Sequence, residues 1–339
     1  MDEKLPWHEK LWQKLQLYLT NQRLPHALLL AGMVGLGKLV FARRLSQALL
    51  CDNPEIGGDS CGYCRSCCLF RAYSHPDFIR VSITGDSKSI GIDQIRELGH
   101  FLSLTSNYGG YKIALLEDVN SLNINAINSL LKTLEEPQGN SLLLLVSAQP
   151  SRLPATIRSR CQLISFKSPI TSEAIAWLTP HVNSTLLDPQ ILLEISAGAP
   201  LAALDIANVA RWNHRHKLFE SYEQVSVGKK EPIQAAGSWM QGDINENIRW
   251  LISWHTDMIR LSMVSVPPWL VNPDLCSFLK RLASKWTLVR LFERLDAAIR
   301  LHMLCSTTQV NVQLMLEVFL SESAAEDSNS HYLEPNFRY

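Results

Sequence analysis

The sequence predicts an α/β fold in its N-terminal half, a parallel sheet wrapped by helices, followed by a C-terminal half that is helical. Three observations carry this. Short apolar runs at Ala27–Ala31, 77–82, 112–118, 142–146 and 162–166 alternate with segments of helical periodicity, the pattern of strands connected by crossover helices. A glycine-rich loop of the form G-x-x-x-x-G-K, Gly32 to Lys38, joins the first run to the helical segment 39–50. Beyond residue 168 the apolar residues keep helical phase, and six of the nine tryptophans fall between Trp212 and Trp286.

At 339 residues the chain exceeds one ordinary core, so two or three domains are expected. With 46% hydrophobic and 19% charged residues it reads as globular. Lys plus Arg and Asp plus Glu both number 32, so no global basic excess points to nucleic acid. Any such contact is then local, or made through a larger assembly. The N-terminal decapeptide has no basic stretch leading into an apolar core, and no apolar run approaches the ~20 residues that cross a bilayer. A cytoplasmic protein without a membrane segment is expected.

Taken in order, Leu11, Leu15, Tyr18 and Leu19 repeat at helical spacing, and Arg23-Leu24-Pro25-His26 forms a turn. Ala27–Ala31 is apolar on both faces, as suits a covered parallel strand. The loop Gly32-Met33-Val34-Gly35-Leu36-Gly37-Lys38 curls its amide groups and the following helix N-terminus round an anion, with Lys38 as the point charge. The position after the lysine ordinarily carries Ser or Thr, whose hydroxyl holds Mg2+, and here it is Leu39. Leucine cannot ligate magnesium, so the site is expected to hold ATP weakly or not at all.

Next comes a cluster of five of the eight cysteines, at 51, 61, 64, 67 and 68. The spacing C-x9-C-x2-C-x2-C lets Cys51, Cys61, Cys64 and Cys67 close a tetrahedral, structural Zn2+ site, with Cys68 or His75 as alternates for one ligand. An apolar run then ends in Glu117 and Asp118, where phosphate-loop ATPases place an Asp for magnesium and, in one class, a water-activating Glu. The order here is reversed, and displacement by about 1 Å can cost on the order of a hundredfold in rate. A solvated acidic pair is the equal alternative. The segment 123–136 offers Ile127, Leu130, Leu131 and Leu134 on one face before Pro137.

The runs 112–118, Asn128-Ser129-Leu130-Leu131-Lys132-Thr133-Leu134-Glu135-Glu136-Pro137 and Ser159-Arg160-Cys161, with Arg23-Leu24-Pro25-His26-Ala27 and the cysteine insert, resemble bacterial clamp-loader subunits of the AAA+ class. They cover nearly all of residues 20 to 166. The resemblance implies an AAA+ parallel-sheet ATPase-like domain at 1–167 with a zinc module at 51–68, a small helical lid domain at 168–208, an all-helical collar domain at 209–320 and a mobile tail at 321–339. In the ATP-hydrolysing relative, Thr or Ser follows the loop lysine, Asp precedes Glu at the strand end, and an arginine stands where this chain has Leu201. Three departures at one site imply a non-hydrolysing subunit of the DNA polymerase III holoenzyme. Gly32, Gly35, Gly37 and Lys38 would then form a degenerate phosphate loop.

The resemblance also implies that Arg160 acts as an arginine finger on a neighbour's ATP, with Arg158 as a lesser candidate. Implied partners are gamma/tau and delta subunits in a hetero-oligomer, and the sliding clamp and primed DNA through it. The alternative is an active, gamma/tau-like motor subunit using Lys38, Glu117 and Asp118. A zinc-dependent nucleic-acid binder is disfavoured by the neutral charge and the lack of an aromatic-basic patch.

Overall fold

The structure, a computed structural model, describes residues 4–21, 23–85, 87, 89–137, 139–182, 187–307 and 311–324. It divides into two compact units, one of Met1–Trp177 with Ala199–Ala202, the other of Leu178–Gly198 with the chain from Ala203 onward.

The first unit contains helix α1 (Glu9–Thr20), strand β1 (Ala27–Ala31), α2 (Lys38–Leu50), α3 (Arg65–Arg71), β2 (Phe78–Val81), α4 (Ile92–Ser103), β3 (Lys112–Leu116), α5 (Ile124–Glu135), β4 (Ser141–Ser147), α6 (Ala155–Arg158) and β5 (Gln162–Ser165). The sheet is parallel throughout, in the order β2-β3-β4-β1-β5. Every residue of β1, β3 and β4 is buried, which is why their sequences are apolar without alternation. Alternate residues nevertheless feed two separate cores. Leu28, Leu30, Ile113, Leu115, Leu142 and Leu144 pack with Trp12, Leu15, Phe41 and Leu45 on one face. Leu29, Ala114, Leu116, Leu143 and Leu145 pack with Ile95, Leu98, Leu130 and Leu134 on the other. This two-sided arrangement puts the loop after β1 and the acids after β3 at the same, C-terminal, edge of the sheet, where ligands of open α/β sheets bind.

Asp77 directly precedes β2, and its carbonyl accepts the Ile113 amide of β3 at 2.9 Å. Its carboxylate is fully buried and takes hydrogen bonds from Ser106 Oγ, the Asn107 and Tyr108 amides, the Asn107 side chain and Lys112 Nζ. Burial works against its charge, but these donors outweigh burial and hold its pKa down to about 2.

The second unit is helical, with α8 (Pro189–Ile195) ahead of α10 (Val209–Ser226), α11 (Pro232–Trp239), α12 (Ile244–Met263), α13 (Cys276–Ala283), α14 (Leu288–Thr307) and α15 (Val312–Ala324). Helices α7 (Thr171–Leu178) and α9 (Pro200–Ile206) run across the division between the units. The core gathers Tyr222, Trp239, Trp254, Leu251, Met258, Leu291 and Leu316, so the tryptophan stripes are packing, with Cys276 and Cys305 half-buried against them. Burial lowers the pKa of His255 to about 3, leaving a neutral ring that bonds the Tyr222 hydroxyl at 2.9 Å. The tail expected from residue 321 begins inside α15, which continues to Ala324; 325–339 lie outside the described residues.

Candidate functional site

The phosphate loop leaves β1 at Ala31 and enters α2 at Lys38. Two glycines are required by position. Gly35 and Gly37 both have φ 83°, a left-handed conformation that side chains disfavour. A Cβ on Gly35 would meet Ala202 Cβ at 2.5 Å, and one on Gly37 would meet His8 Cε1 at 2.8 Å.

The loop is held from outside at two carbonyls. Trp7 Nε1 and His8 Nε2 both donate to the Leu36 carbonyl, at 3.0 and 2.8 Å, and the Leu201 amide donates to the Gly35 carbonyl at 3.1 Å. Burial lowers the His8 pKa to about 4 although the bond to Leu36 opposes it, so the ring is neutral at pH 7. The loop's own cation is turned inward. Lys38 is 7% exposed and donates to the Gly32 and Met33 carbonyls, both at 2.6 Å. Burial lowers its pKa to about 8, with the Asp118 carboxylate working the other way. Leu39 is 38% exposed and brings a branched alkyl group to the place of the metal-holding hydroxyl.

The two acids after β3 are committed elsewhere. Glu117 pairs with Arg80 Nε at 3.3 Å. Asp118 accepts the Asn120 amide at 3.0 Å and caps the turn Val119–Ser121. Asn120 in turn ties the ends of β3 and β4 together, accepting from Ser147 Oγ at 2.7 Å and donating to the Gln149 carbonyl at 2.9 Å.

Cys51, Cys61, Cys64 and Cys67, the set selected by spacing, place their sulfurs within 4.8 Å of one another. Cys51 caps the end of α2 and Cys64 the start of α3, so two helix termini and the loop between them supply the set. Four thiolates at ~2.3 Å from one ion lie roughly 3.8 Å apart. Cys51 Sγ is 3.5 Å from Cys61 Sγ and 3.9 Å from Cys64 Sγ, so the residues fit a tetrahedral ion. Backbone amides of Cys61, Cys64 and Cys67 point at the sulfurs of Cys51, Cys61 and Cys64, at 3.3 to 3.4 Å, a donor set that favours thiolates. The two alternates are engaged elsewhere. Cys68 is exposed and bonds the Tyr63 carbonyl, whereas His75 bonds Ser66 Oγ at 2.8 Å and accepts the Asp77 amide. The intervening loop is anchored by Asp59, which takes a two-pronged bond from Arg44, at 2.6 and 2.9 Å, and Lys4 at 2.8 Å.

Arg160 follows α6 and its side chain is 36% exposed. One guanidinium nitrogen donates to the Thr156 carbonyl at 2.9 Å, and the other pairs with Glu135 at 2.7 Å. Arg158 is exposed on the same short helix. Half-buried Cys161 packs against the core beside the sheet, and burial pushes its pKa up to about 12.

A family described as "DNA polymerase III, delta subunit" matches residues 7–169, and one described as "DNA polymerase III, delta subunit, C terminal" matches residues 210–323. The DNA polymerase III subunit delta' of Pseudomonas aeruginosa is 30% identical over 96% of this chain and 98% of its own length. The chain belongs to the DNA polymerase III delta-prime family. The Escherichia coli member is 30% identical over 97% of this chain and 96% of its own length. DNA polymerase III subunit tau of Bacillus subtilis is 32% identical over a shorter stretch, 51% of this chain and 30% of its own length.

In this delta-prime family chain, Leu201, expected within the lid segment 168–208, lies instead in the first unit with the phosphate loop and the strand-end acids, its amide on the Gly35 carbonyl. The contacts of Trp7, His8 and Asn120 escape a reading by periodicity. Their partners are 29, 28 and 27 to 29 residues away, and the available signal was a bulky aromatic beside a buried histidine at the chain's start.

Proposed function

We propose that this chain is a non-hydrolysing clamp-loader subunit of the DNA polymerase III holoenzyme, one that supplies Arg160 to the ATP site of a neighbouring subunit. The observation that carries this reading is the state of Lys38. Its ammonium is satisfied by carbonyls of its own loop, and Leu39 beside it offers no metal ligand. Glu117 and Asp118 reinforce it, each with a partner of its own. Arg160 is instead pre-oriented at the surface, where a planar guanidinium can grip a transferring phosphate with two nitrogens.

In this reading Gly32, Gly35, Gly37 and Lys38 form a rigid structural loop that binds ATP weakly or not at all. Cys51, Cys61, Cys64 and Cys67 hold a structural Zn2+ that staples α2 to α3. Residues 168–208 serve as the lid and 209–320 as the collar, packing against gamma/tau and delta subunits in a cytoplasmic hetero-oligomer. Exposed Val289, Phe292 and Ile299 on α14, with Leu314 and Val318 on α15, support a helical partner there. The assembly opens the sliding clamp and loads it on primed DNA. Among the described residues, no helix is long and apolar enough to cross a membrane.

Omission and add-back tests this role. Clamp loading by gamma/tau and delta subunits should be feeble without this chain and be restored by stoichiometric addition. Full loading in its absence would remove the proposal.

A further inference from the structure

The turn after α3 presents Tyr73 in a costly way. This residue has φ 54°, in the left-handed region that a bulky side chain rarely adopts, and is 63% exposed. Two arginines from different elements approach its ring. The Arg43 guanidinium sits 4.8 Å from the ring centroid and donates to the hydroxyl at 2.6 Å, while the Arg80 guanidinium lies at 5.9 Å. Two residues before it, Arg71 is exposed and bonds the Gly62 carbonyl, next to Tyr63, which is 78% exposed. Among the described residues, Arg80 is paired with Glu117, whereas Arg43 and Arg71 form no ion pair with a carboxylate. Two exposed tyrosines and the groups of Arg43, Arg71 and Arg80 thus gather at and beside the cysteine module.

The sequence predicts no aromatic-basic patch, yet Arg43, Tyr73 and Arg80 converge from α2, a turn and β2. We propose that this face binds a single-stranded polynucleotide, with unpaired bases stacking on Tyr73 and Tyr63 and backbone phosphates meeting Arg43, Arg71 and Arg80. Aromatic faces accept any unpaired base, and interleaved arginines neutralise phosphates. Duplex DNA hides its base faces, and an acidic peptide has no use for the tyrosine rings.

The test uses the full, zinc-loaded chain and fluorescence anisotropy with labelled oligothymidylate of about 16 nucleotides, the upper end of common site sizes. Oligouridylate of equal length tells DNA from RNA as the source. The single strand should bind more tightly than a blunt duplex, and log affinity should fall with log salt by about 0.7 per phosphate contact. Tyr73→Gly should weaken binding roughly tenfold, within the range for loss of a stacked base. Glycine adopts the left-handed turn freely, so melting temperature and zinc content should hold. Tyr73→Asn, also tolerant of that conformation, repeats the test if the glycine variant misfolds. Arg43→Gln with Arg71→Gln should flatten the salt dependence. No binding, equal binding of duplex, unchanged affinity in the folded Tyr73 variants, or equal competition by poly-glutamate would each overturn the proposal, the last in favour of an acidic protein partner.

Discussion

Replacing Arg160 with alanine is expected to leave the reconstituted clamp-loader complex assembled and to cut its ATP turnover at the affected site by about three orders of magnitude, the lower end for an arginine finger. The bond to Thr156 and the pairing with Glu135 restrict the guanidinium before any partner arrives. Part of the ordering cost is thus met within this chain. Lysine at the same position should recover little, since an ammonium keeps the charge but loses the planar fork that contacts two oxygens. Gel filtration checks assembly and steady-state phosphate release checks turnover. Wild-type turnover in an intact Arg160→Ala complex would mean that the finger is supplied by another residue, with exposed Arg158 the first to examine.

The next largest effect is expected from Cys64→Ser. Cys64 offers one of the four clustered sulfurs and also accepts the Cys67 amide at the start of α3. Zinc should fall from about one ion per chain to near zero, because three thiols cannot close the site. Structural zinc contributes on the order of 10 kcal/mol to small metal-organised modules. If even a fraction of that stabilises this unit, the melting temperature should fall on the order of ten degrees. The loss should spread beyond the module, since Asp59 and Gly57 in the cysteine loop bond Arg44 of α2 and Trp12 of α1. Cys68→Ser should change neither zinc content nor stability. A Cys64→Ser protein with unaltered melting would show that the cluster is incidental to the fold.

The sheet was legible because covered parallel strands leave a one-letter trace. Leu28-Leu29-Leu30 and Leu142-Leu143-Leu144-Leu145 can be read by eye, and the observed strands extend only a residue beyond these runs at most points. The four cysteines were legible for a similar reason, as short spacings leave few geometries. What could not be read was how charged groups are used. Lys38 belongs to a loop that ordinarily grips phosphate, and nothing local says that its ammonium turns to Gly32 and Met33. Asp118 stands in sequence where a water-activating Glu is usual, yet a side-chain bond two residues on makes it a turn cap. Asp77 reads as the start of a strand, but is a buried acceptor for donors 29 to 35 residues away. Each is decided by contacts that only the assembled sheet creates.

In the proposed role the nucleotide pocket, with Leu39 in place of the metal-holding hydroxyl, does not hold divalent metal. This is tested most directly by calorimetric titration of the isolated chain with ATP, with and without Mg2+, alongside phosphate release. Binding should be weak or absent in both titrations, with no turnover. Tight, Mg2+-dependent binding accompanied by steady hydrolysis would contradict it.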